Sequence, residues 1–211
     1  LFDAEPGVGA AICNGTVCDE ALRPLGHDLW DALWFDESER RKVRAGRATE
    51  VFARHVVASG NTLAFRAELR ALVLPFPDLH DCADAWIAFL CAAVSDFRLV
   101  EQELLRYRVH GGNQFGTHRH GLLEQIERAR WQIESGIFDH GRRLFTAIDQ
   151  RLRAAPDPRW RASEETLALV QGKIAHCTAR HGMASGLLAR LPQIAREARS
   201  GAYWRYSYGL K

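Results

Sequence analysis

The sequence lacks a long hydrophobic run, a signal-peptide pattern and a strong excess of charge of either sign. No apolar stretch in the 211 residues approaches the ~20 needed to span a bilayer. Lys and Arg number 28 against 26 Asp and Glu, a formal net charge of +2, which does not indicate a nucleic-acid partner. The mixed-sign run ESERRKVR is typical of a solvated helix face.

Paired cysteines are also missing, because none of the five cysteines forms a CxxC motif. This excludes a zinc ribbon and gives no support to a disulfide framework. Buried free thiols in a reducing compartment are the expectation, and they indicate a cytoplasmic protein.

What is present is ordinary globular composition, with 47% hydrophobic and 26% charged residues. Turn, strand and helix signals alternate as far as residue 117, whereas only helical patterns are present from residue 118 onward. The prediction is therefore an α/β part with a mixed sheet at 1–117 and an all-helical extension at 118–211, helix-rich overall.

The local patterns predict particular elements. Val8–Cys18 is expected to be one bent strand or a strand pair turning at Asn14-Gly15, and the stretch Leu63–Val73 is expected to be a helix. The remaining predictions are helices at 36–45, in WIAFLCAAV, and at about 142–155, 163–181 and 184–199, and two short strands in FRLVE and ELLRYRVH.

Two acids precede the buried helix in DCADAW. Asp81 is expected to cap the helix, which places Asp84 at its third position. A carboxylate there can act as a general base, although a first-turn acid that stabilises the helix dipole explains the same residue. Gly60, Asn61 and Thr62 form a loop whose backbone N–H groups could bind anions or hydroxyls, or whose Thr62 simply caps the next element.

Three basic residues, Arg106, Arg108 and His110, alternate with apolar residues before Gly111-Gly112. Period-two alternation places them on one face of a strand. Guanidinium groups suit phosphate oxygens, whereas a solvated edge strand would show the same pattern.

Taken in order, the segments GNTLAFR, DAWIAFL and LVEQELLRYRVHGGNQFG resemble the C-terminal half of family 2 glycosyltransferases. These are bacterial GT-A-fold enzymes that use nucleotide-sugar donors, some of them in cell-surface polysaccharide biosynthesis, and the resemblance covers Val8 to Gly116. It implies that Asp84 deprotonates the acceptor hydroxyl and that Trp86 packs behind it. Arg108 and His110, with Arg106 beside them, would face the diphosphate, and Gly60, Asn61 and Thr62 would lie at the substrate.

The chain departs from the family pattern at two places. Ala83 precedes Asp84 where the family often has His, and the pair His80-Asp81 lies one helical turn earlier, so Asp81 remains a second candidate for the base. The DxD motif that holds Mg²⁺ or Mn²⁺ in the family is missing. We therefore expect the donor-binding half to lie outside this chain, and the chain alone to be inactive.

The resemblance implies transfer of a sugar from a nucleotide-diphosphate donor to a polysaccharide, a glycan or a lipid-linked acceptor. The aromatic, basic tail GAYWRYSYGLK suggests peripheral contact with the inner face of a membrane, or packing onto its own domain. The alternative function is a non-catalytic helical interaction or dimerisation module.

Overall fold

Strand β1, Val8–Cys18, is the centre of a four-stranded mixed sheet. It pairs in antiparallel fashion with β2, Pro24–Asp28, and with β3, Leu63–Phe65, and in parallel with β4, Asp96–Arg108. The computed structural model describes residues 1–110, 136–183 and 187–207. These ranges form a helix-rich α/β structure with helices alone after residue 136, which confirms the predicted class at that level.

The helices pack on this sheet and on one another around one continuous core. Short 3₁₀ turns lie at Ala67–Leu69 and Pro158–Trp160. The α-helices are α1 Leu29–Ala32, α2 Glu37–Arg44, α3 Ala48–Phe52, α4 Arg70–Val73, α5 Ala83–Val94, α6 Ile137–Arg153, α7 Glu164–His181, α8 Leu187–Arg199 and α9 Ala202–Tyr206. Among the helices described, none is both long and apolar enough to cross a membrane.

β1 is a single strand rather than a strand pair, because Asn14 is used as a buried hydrogen-bonding group and not as a turn residue. Its side chain donates to the Asp28 carboxylate at 2.9 Å and accepts from the backbone N–H of Gly15 at 2.8 Å and of Trp30 at 3.2 Å. Asn14 thereby joins β1 to the start of α1. The two short strands predicted at 97–110 are likewise one strand, β4, whose register with β1 shifts between Val100 and Glu103.

The predicted helix over Leu63–Val73 is wrong in its first half. Leu63–Phe65 is strand β3, paired with Ile12 through Ala10, and only Arg70–Val73 is α-helical. A short apolar run does not distinguish helix from strand by periodicity, and the open edge of β1 decides between them. The helices predicted near 142–155, 163–181 and 184–199 are confirmed as α6, α7 and α8, with α6 beginning earlier, at Ile137.

Candidate functional site

The first turn of α5 carries the two candidate acids, in an arrangement that differs from the predicted cap. The helix begins at Ala83 after Cys82, whose side chain makes no capping hydrogen bond. Asp81 lies one residue earlier with a left-handed φ of 51°. The prediction of Asp81 as N-cap is therefore wrong, and Asp84 occupies the second helical position, where the helix dipole favours an ionised carboxylate.

Asp84 lies directly against the loop that precedes β3. A Cβ atom added to Gly60 would fall 2.6 Å from Asp84 Oδ1, so the carboxylate packs on backbone that has no side chain. Asp84 is half-buried, and it forms no hydrogen bond or ion pair in the part of the chain that the structure describes. This leaves both carboxylate oxygens able to accept a proton or a hydrogen bond.

The loop itself is held to the sheet by Thr62. The backbone N–H and the hydroxyl of Thr62 both donate to the Ser59 carbonyl at 2.8 Å, and the Thr62 carbonyl accepts from the N–H of Cys13 at 3.1 Å. Thr62 is buried, whereas Gly60 and Asn61 are exposed. Thr62 therefore shapes the turn, and Gly60 and Asn61 are the loop residues that a ligand could reach.

Trp86 lies in the core behind Asp84, with 1% of its surface exposed. Its indole N–H donates to the Val73 carbonyl at 2.8 Å, and the Arg151 guanidinium lies 5.1 Å from its ring centroid. A substrate cannot reach this side chain, which agrees with a packing role and not with direct substrate contact.

The basic residues of β4 lie at the carboxyl end of the parallel β1–β4 pair. Arg106, Arg108 and His110 are exposed and alternate with half-buried residues, as the pattern predicts. Arg106 is opposite Thr16, and Arg108 is opposite Cys18. Open α/β sheets bind ligands beyond the carboxyl ends of their strands.

The acid and the basic residues occupy neighbouring levels of the sheet. Thr62 fixes the Asp84 loop at the level of Cys13, and Arg106 and Arg108 lie three and five residues further along β1. At ~3.3 Å per residue the separation along the strand is roughly 10–17 Å. This offset along the strand means that the structure does not bring Asp84 into direct contact with Arg106 or Arg108. Gly112, Asn113 and the predicted boundary at 117/118 lie outside the described residues.

Arg66 and Arg151 are structural residues that the sequence patterns did not reveal. Arg66 donates to the carbonyls of Val8 at 2.7 Å, Glu5 at 3.2 Å, and Phe2. Arg151 of α6 donates to the carbonyls of Leu72, Leu74 and Pro75 at 2.7, 3.0 and 2.7 Å. Neither role has a local signal, because each partner is more than 55 residues away in the chain.

The described residues contain no group of three or more His, Cys, Asp or Glu side chains that could hold a metal ion. The divalent ion that the family resemblance implies is expected at a DxD motif outside this chain, and that expectation stays a prediction. Comparison of the chain with protein-family models, curated proteins and solved structures finds no match in any of the three.

Proposed function

We propose that this chain forms the acceptor side of a cytoplasmic glycosyltransferase with a GT-A-like sheet, similar to family 2. It would transfer a sugar from a nucleotide-diphosphate donor to a polysaccharide, a glycan or a lipid-linked acceptor. The observation that carries the proposal is Asp84, a half-buried carboxylate without a partner in the described residues, held against the bare backbone of Gly60. A carboxylate placed for stability alone would normally be paired or fully solvated.

In the proposed reaction Asp84 accepts the proton of the acceptor hydroxyl as the oxygen attacks the anomeric carbon. The bond between that carbon and the diphosphate oxygen breaks, and the nucleoside diphosphate departs with the electron pair. Arg106, Arg108 and His110 would offset the negative charge of the departing group. A Mg²⁺ or Mn²⁺ ion would need a DxD motif that this chain does not contain, so no step is assigned to it.

Replacing each acid separately in the complete protein tests which of them is the base. With UDP-, GDP- and dTDP-sugars and manganese, Asp84→Asn should lower kcat by about 10²–10⁴-fold, the usual contribution of a general base. Donor affinity should change little. Asp81→Asn is the matched control and should keep most of the turnover. Unchanged turnover in Asp84→Asn would contradict the assignment.

A second variant tests the contact without removing the carboxylate. In Gly60→Ala the new methyl group needs the space of Asp84 Oδ1, so the side chain must rotate away and transfer should fall. Gly7→Ala is the control, because the nearest carboxylate oxygen, from Asp96, would lie 3.5 Å from its Cβ, an ordinary contact. Equal activity in the two variants would show that Asp84 does not work in this position.

The helical interaction module remains the second candidate, supported by apolar exposure on the last helices. Leu191 of α8 and Trp204 of α9 are 52% and 66% exposed. Analytical ultracentrifugation separates the two functions: a concentration-dependent dimer that Leu191→Ser and Trp204→Ser abolish, together with turnover unaffected by Asp84→Asn, would favour the module.

A further inference from the structure

Helix α8 is turned the opposite way from an ordinary surface helix, which buries its apolar stripe and exposes its polar one. Leu191 and Ile194 are 52% and 37% exposed. Gln193 and Glu197 are half-buried on the side that faces α7, where Glu197 pairs with the buried His176. The apolar side of α8 is therefore presented to the outside, as in helices that bind a partner or a membrane.

The exposed charges of α8 are positive. Arg196 and Arg199 are exposed and lie three residues apart, so they share one side of the helix. Glu197 is the one acid in the sequence of α8, and it is directed towards His176. An open depression along the helix combines the two arginines with apolar side chains in one lining, at Leu191, Pro192, Ala195, Arg196 and Arg199.

The short helix α9 adds an exposed aromatic group directly after α8. Trp204 is 66% exposed and packs edge to face on Tyr203, with ring centroids 5.4 Å apart, and the neighbouring Arg205 is exposed as well. Exposed apolar residues with arginines and a tryptophan are typical of helices that lie at the boundary between lipid headgroups and acyl chains.

We propose that the surface formed by α8 from Leu191 to Arg199, together with Trp204 and Arg205, binds a bilayer that contains anionic lipids. The apolar side chains of this α8 surface enter the acyl boundary, and the arginines reach the phosphate groups, since their long side chains can extend along apolar surface to a polar layer. The inference does not depend on the transfer reaction.

A bilayer suits the α8 surface better than a second copy of the chain. In a two-fold dimer the same patch meets itself, so Arg196 and Arg199 of both copies would come together. The sequences of α8 and α9 contain no acid besides Glu197 to pair with them. Like charges across an interface oppose association, whereas anionic headgroups attract arginine.

Co-flotation of the complete protein with lipid vesicles tests the proposal. Vesicles of phosphatidylcholine and phosphatidylglycerol in equal parts should bind the protein, and high salt should weaken this binding. Vesicles of phosphatidylcholine alone should bind at least about tenfold more weakly, because they lack the negative surface potential. Leu191→Ser/Ile194→Ser removes the apolar contact and Arg196→Ala/Arg199→Ala removes the charge, and each should weaken binding to the anionic vesicles at least about tenfold.

Matched double variants on other elements are the controls. Leu25→Ser/Val56→Ser replaces two apolar residues that are 44% and 48% exposed. Arg70→Ala/Arg161→Ala replaces two exposed arginines and changes the net charge as much as the α8 variant does. Both controls should bind anionic vesicles like the wild type.

The proposal would be overturned by a wild type that binds neither kind of vesicle, by equal binding to both kinds, or by equal effects of the α8 variants and the controls. A concentration-dependent dimer that Leu191→Ser/Ile194→Ser dissociates, without vesicle binding, would assign the surface to a second copy instead. Asp84→Asn should bind vesicles like the wild type whether or not it transfers a sugar. Failure of the proposed base and failure of the α8 surface are therefore separate results.

Discussion

His176 shows how a single buried residue joins the end of the chain to the helices. Its Nδ1–H donates to the Glu197 carboxylate, and its Nε2 accepts from the Ser207 hydroxyl at 2.7 Å. Burial lowers the pKa of His176, the Glu197 carboxylate partly opposes this, and the cationic Lys173 and Arg180 nearby lower it further. The imidazole is therefore neutral in the folded protein at pH 7.

Protonation of His176 should destabilise the protein on the acidic side. Because its pKa in the folded state lies below the ordinary value of 6.5, the unfolded chain takes up the proton first. The free energy of unfolding should fall as the pH decreases below about 6.5. Urea denaturation at several pH values measures this. His176→Gln, which keeps a donor and an acceptor, should flatten the slope there, whereas His181→Gln on the exposed surface of α7 should not. Identical slopes would contradict the role of His176.

Glu39 is a single residue whose burial and partners the sequence could not predict. The pattern of α2 correctly predicts a charged helix but leaves its cap open between Asp36 and Ser38. The structure has Asp36 as the cap, whose carboxylate accepts from the Glu39 N–H at 3.0 Å. The pattern also suggests a solvated face, yet Glu39 is 1% exposed and pairs with Arg54 and His55 at 2.9 and 3.0 Å. A tertiary partner has no local signature, so charge pattern alone assigns this residue to the wrong environment.

Among the elements, α6 is joined to α4 and to the α4–α5 connection by Arg151. Its three hydrogen bonds to the carbonyls of Leu72, Leu74 and Pro75 hold the segment that runs into the candidate site. Its guanidinium also packs over Trp86 of α5. Burial lowers the pKa of this guanidinium, which nonetheless stays protonated at neutral pH.

Arg151→Met should therefore cost on the order of 2–3 kcal/mol of unfolding free energy, because carbonyls that accepted charged hydrogen bonds lose them. Arg153→Met is the control on the same helix, since its exposed ion pair with Asp149 is worth at most about 1 kcal/mol. Urea denaturation of both variants measures the difference. Equal losses would show that Arg151 is an ordinary surface residue.

The elements also divide by how well their sequences predict them. α6, α7 and α8 are long, and α6 and α8 are also clearly amphipathic, so the local sequence is enough to predict all three as helices. β3 is only three residues long, and its state depends on the free hydrogen-bonding edge of β1, which no window of the sequence contains. The candidate site divides in the same way between what the sequence predicts and what it does not. Local motifs predict Asp84 and the basic residues of β4 as candidates, whereas the contact of Asp84 with Gly60 is tertiary and has no local motif.

For the whole molecule, the α/β part and the helical extension share one core. Phe89 of α5 and Phe145 of α6 pack edge to face with centroids 5.2 Å apart, and both are buried. The division at 117/118 describes where the sequence pattern changes. In the described residues the packing continues across it.

A chain ending at residue 110 should consequently fail to fold by itself. It would expose Phe89 and the face of Trp86 that Arg151 covers, and buried aromatic groups of this size contribute several kcal/mol. Circular dichroism should show no cooperative thermal transition, and gel filtration should show aggregation. Adding residues 111–211 as a separate polypeptide should restore a cooperative transition. A monomeric 1–110 chain that unfolds cooperatively would contradict this expectation.

The central position of β1 has a consequence for how the chain is made. Its parallel partner β4 ends 90 residues later, at Arg108 opposite Cys18. During synthesis at ~5–20 residues per second, β1 leaves the ribosome several seconds before its longest ladder can form. Contacts between such distant segments also slow folding. Meanwhile this apolar strand is open to any other strand that reaches it, so a chaperone that shields nascent chains should raise the yield of correctly folded protein.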